Sequence, residues 1–151
     1  MSHALDAAVL KNLEDGYLCS ESVLLAAAGH MGLAWDRLPA IATGLGGGMG
    51  GLGHVCGALA GAALALGMAK GRNTPGEDLF ACMADVQVLA EDFAERFGSI
   101  DCRDILGEFS IDLRTEEGRA RAMAMRLPEL PCKDCCLFAV RALTRLLPAK
   151  A

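Results

Sequence analysis

The sequence predicts an all-α fold, a single-domain bundle of about six to eight helices over residues 1–151, with a Gly-rich loop before a central buried helix. Three observations carry this. No stretch alternates apolar and polar residues as a half-buried strand does. Apolar residues instead recur at spacings of three and four, as in Leu79, Cys82, Val86, Leu89 and Phe93. The chain is 53% hydrophobic yet only 5% aromatic, so alanine, leucine and glycine must fill a core of closely approaching helices. A chain of this length buries roughly 70% of its extended surface. No repeat, low-complexity tail or linker divides it.

The elements follow in order. Val9, Leu10 and Leu13 share one face of a first helix, His3 to Glu14, ended by Gly16. A second helix runs from Leu18 to Met31, with Cys19 in its first turn, Ser20 or Ser22 as local polar caps, and Gly29 and Gly32 at its end. A short third helix is expected over Asp36 to Thr43, with Pro39 in its first turn. The run GLGGGMGGLG (Gly44 to Gly53) requires positive φ angles or close approach by another group. The central helix, about His54 to Lys70, follows and stops at Gly71. Its Gly57 and Gly61 share a face that suits either an internal helix contact or a contact between two copies. Thr74-Pro75-Gly76-Glu77 reads as a capping-box start for the next helix, which ends at Gly98. Asp101 can cap a short helix carrying Cys102 and ending at Gly107. Thr115, Glu116 and Glu117 start another that reaches Arg126 before Pro128. Pro131 opens the last helix, which runs to Leu147 and stops at Pro148.

Bulk properties narrow the function. The net charge of −5, without a basic patch or interleaved aromatics, argues against nucleic acid. The start, MSHALDAAVLKNLEDG, lacks the basic-then-apolar pattern of a signal peptide, so a cytoplasmic protein is expected. The uncharged run from Leu38 to Ala69 is broken by glycines. Its apolar remainder, Val55 to Ala69, is shorter than the ~20 residues of a membrane span. Seven cysteines in a reducing compartment point to metal or redox chemistry more than to structural disulfides. Taken singly, a free cysteine is more simply a small core residue.

Four cysteine positions fall at helix starts: Cys19, Cys56, Cys102, and a member of the cluster Cys132, Cys135 and Cys136. Helix starts present unpaired N–H groups and partial positive charge, which favour thiolate, the form that attacks disulfides and binds metals. Cys132 and Cys135 form C-x-x-C, a spacing shared by redox pairs and metal knuckles. Cys132 and Cys136 lie one turn apart on one face, whereas Cys135 and Cys136 are adjacent and point in different directions. Position 136 is cysteine rather than histidine, so the C-x-x-C-H motif of covalent haem attachment is lacking. Cys82 sits mid-stripe and reads as a packed thiol. Other signals are weak. Gly46 to Gly51 fits G-x-G-x-x-G, but no strand precedes it and no phosphate-binding lysine follows. Its role is better read as delivering Cys56 with little side-chain bulk in the way. His54, two residues before Cys56, is a ligand or proton donor on one reading and a solvated loop residue on the other. His3 and His30 read as structural, and Glu91, Asp92 and Glu95 as a solvated face.

Together the motifs G-Y-x-C (to Cys19), G-G-G-M-G, V-C-G-A-x-x-G (Val55 to Gly61), S-I-x-C-R-x-x-L-G (Ser99 to Gly107) and C-x-x-x-V-R (Cys136 to Arg141) resemble the CGAxxG redox-active proteins, written C_GCAxxG_C_C. The resemblance implies a small helical domain with four shared cysteines, at Cys19, Cys56, Cys102 and Cys136. It implies an iron–sulfur cluster or another thiolate-bound metal, or dithiol–disulfide exchange with a redox partner protein. The V-R that follows favours Cys136 over Cys132, while Cys132 can substitute or act as a resolving thiol. Cys82, Cys132 and Cys135 are extra to the pattern. A non-enzymatic zinc-binding or structural helical module stands as the alternative.

Overall fold

The structure, a computed structural model, describes residues 2–125 and 129–147. The elements are α1 (Ser2–Glu14), α2 (Cys19–Met31), a 3-10 helix (Ala40–Leu45), α3 (Gly57–Lys70), α4 (Phe80–Phe97), α5 (Cys102–Gly107), α6 (Glu116–Ala124) and α7 (Cys132–Leu146). Among the described residues the only extended pairing is one antiparallel bridge between Val55 and Asp101. The fold is all-α, as the residue spacing predicts.

Several boundaries differ from expectation. The helix expected over Asp36 to Thr43 is a turn through 36–39 followed by the 3-10 helix. A residue that precedes proline disfavours the α conformation, and Leu38 closes the turn by donating its N–H to the Trp35 carbonyl. The expected start at Thr74 is also a turn. Glu77 returns its N–H to the Thr74 carbonyl and accepts the Asn73 N–H on its carboxylate, so the capping residues close on one another. α4 begins later, where Asp78 Oδ1 accepts the Phe80 N–H at 2.9 Å. Asp101 holds the N-cap position of α5 without a side-chain cap bond; its carboxylate lies 3.6 Å from the Arg103 guanidinium. Thr115 does cap α6, accepting the Gly118 N–H at 2.9 Å. α6 ends at Ala124, with Met125 extended. Arg126, Pro128 and Pro148, expected at helix ends, lie outside the described residues.

α1, α2, α3 and α7 pack on one another, and α4 lies against α3 and α7. Their shared core holds Val9, Val23, Leu66, Phe93, Val140 and Leu143, all without exposed surface. Phe93 meets Phe97 and Phe138 with ring centroids 4.7 and 5.8 Å away, joining α4 to α7. Of the predicted α4 stripe, Leu89 and Phe93 are buried, while Cys82 and Val86 are half-buried against the core. Arg141, the arginine of the V-R motif, forms a forked pair with Asp6, its Nη2 donating at 2.9 Å, and so ties α7 to α1. Among the described residues no helix is long and apolar enough to cross a membrane.

The closest approach is between α2 and α3. A Cβ on Gly61 would stand 2.5 Å from the Ser20 carbonyl oxygen, and one on Gly57 would stand 2.5 Å from Cys19 Sγ. That glycine face is therefore occupied inside the molecule. Ser20 donates its hydroxyl to the Ala42 carbonyl at 2.8 Å, fastening the start of α2 to the 3-10 helix. A second, smaller apolar cluster of Cys102, Leu106, Ile111 and Leu130 joins α5 to the segment entering α7, and Ala122 of α6 packs against it.

These contacts separate two glycines of one helix. Gly61→Ala should destabilise the protein by about 1–3 kcal/mol, because backbone must move to admit the methyl group. Gly67→Ala points into open space and should be neutral or stabilising by up to about 1 kcal/mol through helix propensity. Urea midpoints would check this; the reverse ranking would mean that α2 and α3 are not in close contact.

Candidate functional site

The glycine-rich loop is a left-handed coil. Gly47, Gly48, Met49, Gly50 and Gly51 all have positive φ, and Met49 at 64° is exposed. The coil consumes its own donors: Gly50 N–H bonds the Gly44 carbonyl at 2.8 Å, Gly53 the Gly47 carbonyl at 3.1 Å, and His54 the Gly48 carbonyl at 2.9 Å. N–H groups spent in this way are not free to cradle a phosphate, which weighs against the dinucleotide-like reading of the glycine pattern. Gly48 serves a different end. A Cβ there would lie 2.6 Å from the His54 backbone and 2.8 Å from Cys102 Cβ. With that space free, Cys56 N–H bonds the Ile100 carbonyl and Cys102 N–H bonds the His54 carbonyl, both at 2.7 Å. Two cysteines remote in sequence thus become neighbours on one short bridge.

Between the main core and the smaller cluster lies a cavity of about 480 Å³. Cys19, Cys56, Cys102, Cys132 and Cys135 line it. Each reaches it from a helix start: Cys19, Cys102 and Cys132 open α2, α5 and α7, Cys56 holds the N-cap of α3, and Cys135 lies one turn into α7. Cys136 does not line the cavity. Its side chain turns into the core and its Sγ donates weakly to the Cys19 carbonyl at 3.8 Å. Adjacent residues on a helix point about 100° apart, so Cys135 and Cys136 cannot share one site. Cys82 lies away in α4, and His54 is exposed and does not line the cavity. Cys132 and Cys135 are the cavity residues that the four-cysteine pattern passes over; their C-x-x-C spacing was the signal that could have found them.

The five thiols are not equivalent. The Cys135 thiol hydrogen-bonds Cys56, and the N–H groups of Ala58 and Leu59 at the start of α3 add to this, so Cys56 is held below the ordinary thiol range despite burial. Cys135 is the donor of that bond and is pushed up by it. Burial raises Cys19 to about 12, the Cys56 charge adding to the effect, although the Gly47 and Ser20 N–H groups oppose it. Burial, then the Cys56 and Cys19 charges, raise Cys102 to about 12. Cys132 and Cys136 are raised for the same reasons. The expectation that every helix-start cysteine favours thiolate is therefore corrected. Desolvation outweighs the helix terminus at all but Cys56, and one thiolate suppresses ionisation of its neighbours.

The soft sulfur donors suit zinc or an iron–sulfur cluster by chemistry. Their placement does not match one: among the described residues, no three Cys, His, Asp or Glu side chains converge on a point where an ion would sit. The sulfurs line a wall instead. All the described cysteines are free thiols.

Alkylation with iodoacetamide near neutral pH should label Cys56 first, with Cys19 and Cys102 largely spared. In Cys135→Ala the pH of half-maximal Cys56 labelling should rise, because the donor that stabilises its thiolate is gone. Peptide mapping by mass spectrometry across a pH series reads both effects, and first labelling of Cys19 or Cys102 would contradict them.

A family model described as putative redox-active protein (C_GCAxxG_C_C) matches residues 17–146, from the residue after Gly16 to the end of α7. No curated protein and no solved structure matches the chain. The matched span takes in every cysteine of the cavity, and the chain belongs to the C_GCAxxG_C_C family.

Proposed function

We propose that this protein is a thiol redox protein in which Cys56 is the attacking thiolate and Cys135 the resolving thiol. One observation carries the reading: Cys56 at the N-cap of α3 and Cys135 on α7 line the same cavity, with Cys135 beside Cys56 holding it below the ordinary thiol range. The Cys56 thiolate attacks one sulfur of a partner disulfide. A mixed disulfide forms, and the departing partner thiolate takes the proton of Cys135. The Cys135 thiolate then attacks Cys56 Sγ, closing a Cys56–Cys135 disulfide, and the second partner thiolate leaves to be protonated by water. Two electrons pass from the cysteine pair to the partner, and a cytoplasmic setting would regenerate the thiols.

A second reading is favoured by the number of sulfurs. Five cysteines on one cavity exceed what a dithiol pair needs. That reading would need Cys19, Cys56, Cys102 and Cys132 or Cys135 to turn their sulfurs onto one zinc ion or iron–sulfur cluster, a convergence the described side chains do not make. Such a cluster would supply one-electron transfer, and a zinc ion would make the chain a structural module.

Anaerobic purification separates the two. Colourless, metal-free protein whose free-thiol count falls by two under mild oxidation, with Cys56–Cys135 found by disulfide mapping and lost in Cys56→Ser, is the expected result. Visible absorbance with stoichiometric iron, or tightly bound zinc, would replace the dithiol reading with the second. Cys82→Ser should leave the oxidation unchanged.

A further inference from the structure

Access to the pair limits what can oxidise it. Cys56 is 5% exposed and Cys135 is fully buried, so a reagent reaches either sulfur through the cavity. At about 480 Å³ the cavity has the size of a small-molecule pocket. Its walls are apolar: Leu18 at the start of α2, Ile105 and Leu106 on α5, Leu113, and Ala122 and Met125 on the α6 side. Among the described residues, Glu14 and Arg119 are the only charged ones along the lining, one of each sign, and both are exposed. The Arg119 guanidinium is engaged, donating to the Leu113 carbonyl at 3.1 Å. A charged substrate would therefore surrender its hydration without gaining a buried partner. The Cys56 thiolate within the wall would further repel an anion.

We infer that the oxidant taken by Cys56 and Cys135 is a small, uncharged, apolar disulfide that enters this cavity whole. The inference rests on the dithiol reading above and narrows its substrate. With diethyl disulfide, Cys56 displaces one ethanethiolate, which takes the Cys135 proton. Cys135 then closes the internal disulfide and releases the second ethanethiolate, protonated by water. Each turnover reduces one disulfide to two ethanethiols and oxidises one cysteine pair.

The test compares diethyl disulfide with dithiodipropionate, the same skeleton bearing a carboxylate at each end. Stopped-flow oxidation of the full chain is normalised to the rate of a free small thiol with each reagent. Diethyl disulfide should react at least about tenfold faster on this scale and should saturate, and Ala122→Trp, which fills the cavity, should remove the advantage. Equal rates, a faster dicarboxylate, or reduction of insulin disulfides at a comparable rate would overturn the inference while leaving the dithiol chemistry standing. Binding supplies a readout independent of reaction. The Cys56→Ala/Cys135→Ala double variant should bind diethyl disulfide saturably by calorimetry and not dithiodipropionate. If neither reagent oxidises the native protein, the dithiol reading fails. The apolar cavity site then stands on saturable binding by the double variant and falls without it.

Discussion

The contact on which the rest depends is the near-touching of two backbones, where α3 lies on the start of α2. Gly57 and Gly61 leave no side chain between the helices, and the Cys19 sulfur and Ser20 carbonyl fill the space a methyl group would need. This approach sets where Cys19 points and where the N-terminus of α3 ends. That N-terminus carries Cys56, so the helix contact also decides which sulfurs become neighbours. The Ser20 hydroxyl, donating to Ala42, holds the same end of α2 against the 3-10 helix and the coil that follows. Alanine and glycine dominate the interface because only small residues permit such a distance.

Competing electrostatic effects then distinguish chemically identical side chains. Every cavity cysteine lies at or near a helix start, where dipole and free N–H groups favour negative charge. Every one is also desolvated, which disfavours it. The balance tips only at Cys56, because it alone has both the α3 N–H groups and a thiol donor in Cys135. A charge on Cys56 raises Cys19 and Cys102, so ionisation of one thiol in the cluster opposes ionisation of the others. This asymmetry is what a reaction with an attacking and a resolving sulfur requires.

The two apolar clusters explain why there is a cavity at all. The main bundle closes through α1, α2, α3, α4 and α7, while α5, α6 and the chain leading to α7 gather around Cys102 and Leu130. The smaller cluster meets the larger along the row of helix starts, where glycine and cysteine are too small to fill the seam. The unfilled space is therefore lined by sulfur, and the reactive pair and its apolar surroundings have one origin.

Much of this was legible in the residues. Helix periodicity, the glycine stops at Gly32, Gly71 and Gly98, and the Thr115 cap are local signals, and local signals survive folding because they depend on neighbours within one or two turns. The starts near Asp36 and Thr74 failed for local reasons too: the residue before Pro39 disfavours helix, so Leu38 closes a backbone turn, and around Thr74 the capping side chains close a turn as readily as they open a helix. Residue order alone was enough to specify the helical class, the special backbone of the glycine coil and the placing of cysteines at helix starts. It took the packed fold to turn Cys132 and Cys135 to the cavity and Cys136 to the Cys19 carbonyl, and to hold Cys56 below the ordinary thiol range while its neighbours are raised. Side-chain direction around a helix axis and the cost of desolvation are both set by what packs against the element, and that information is spread across segments far apart in the chain.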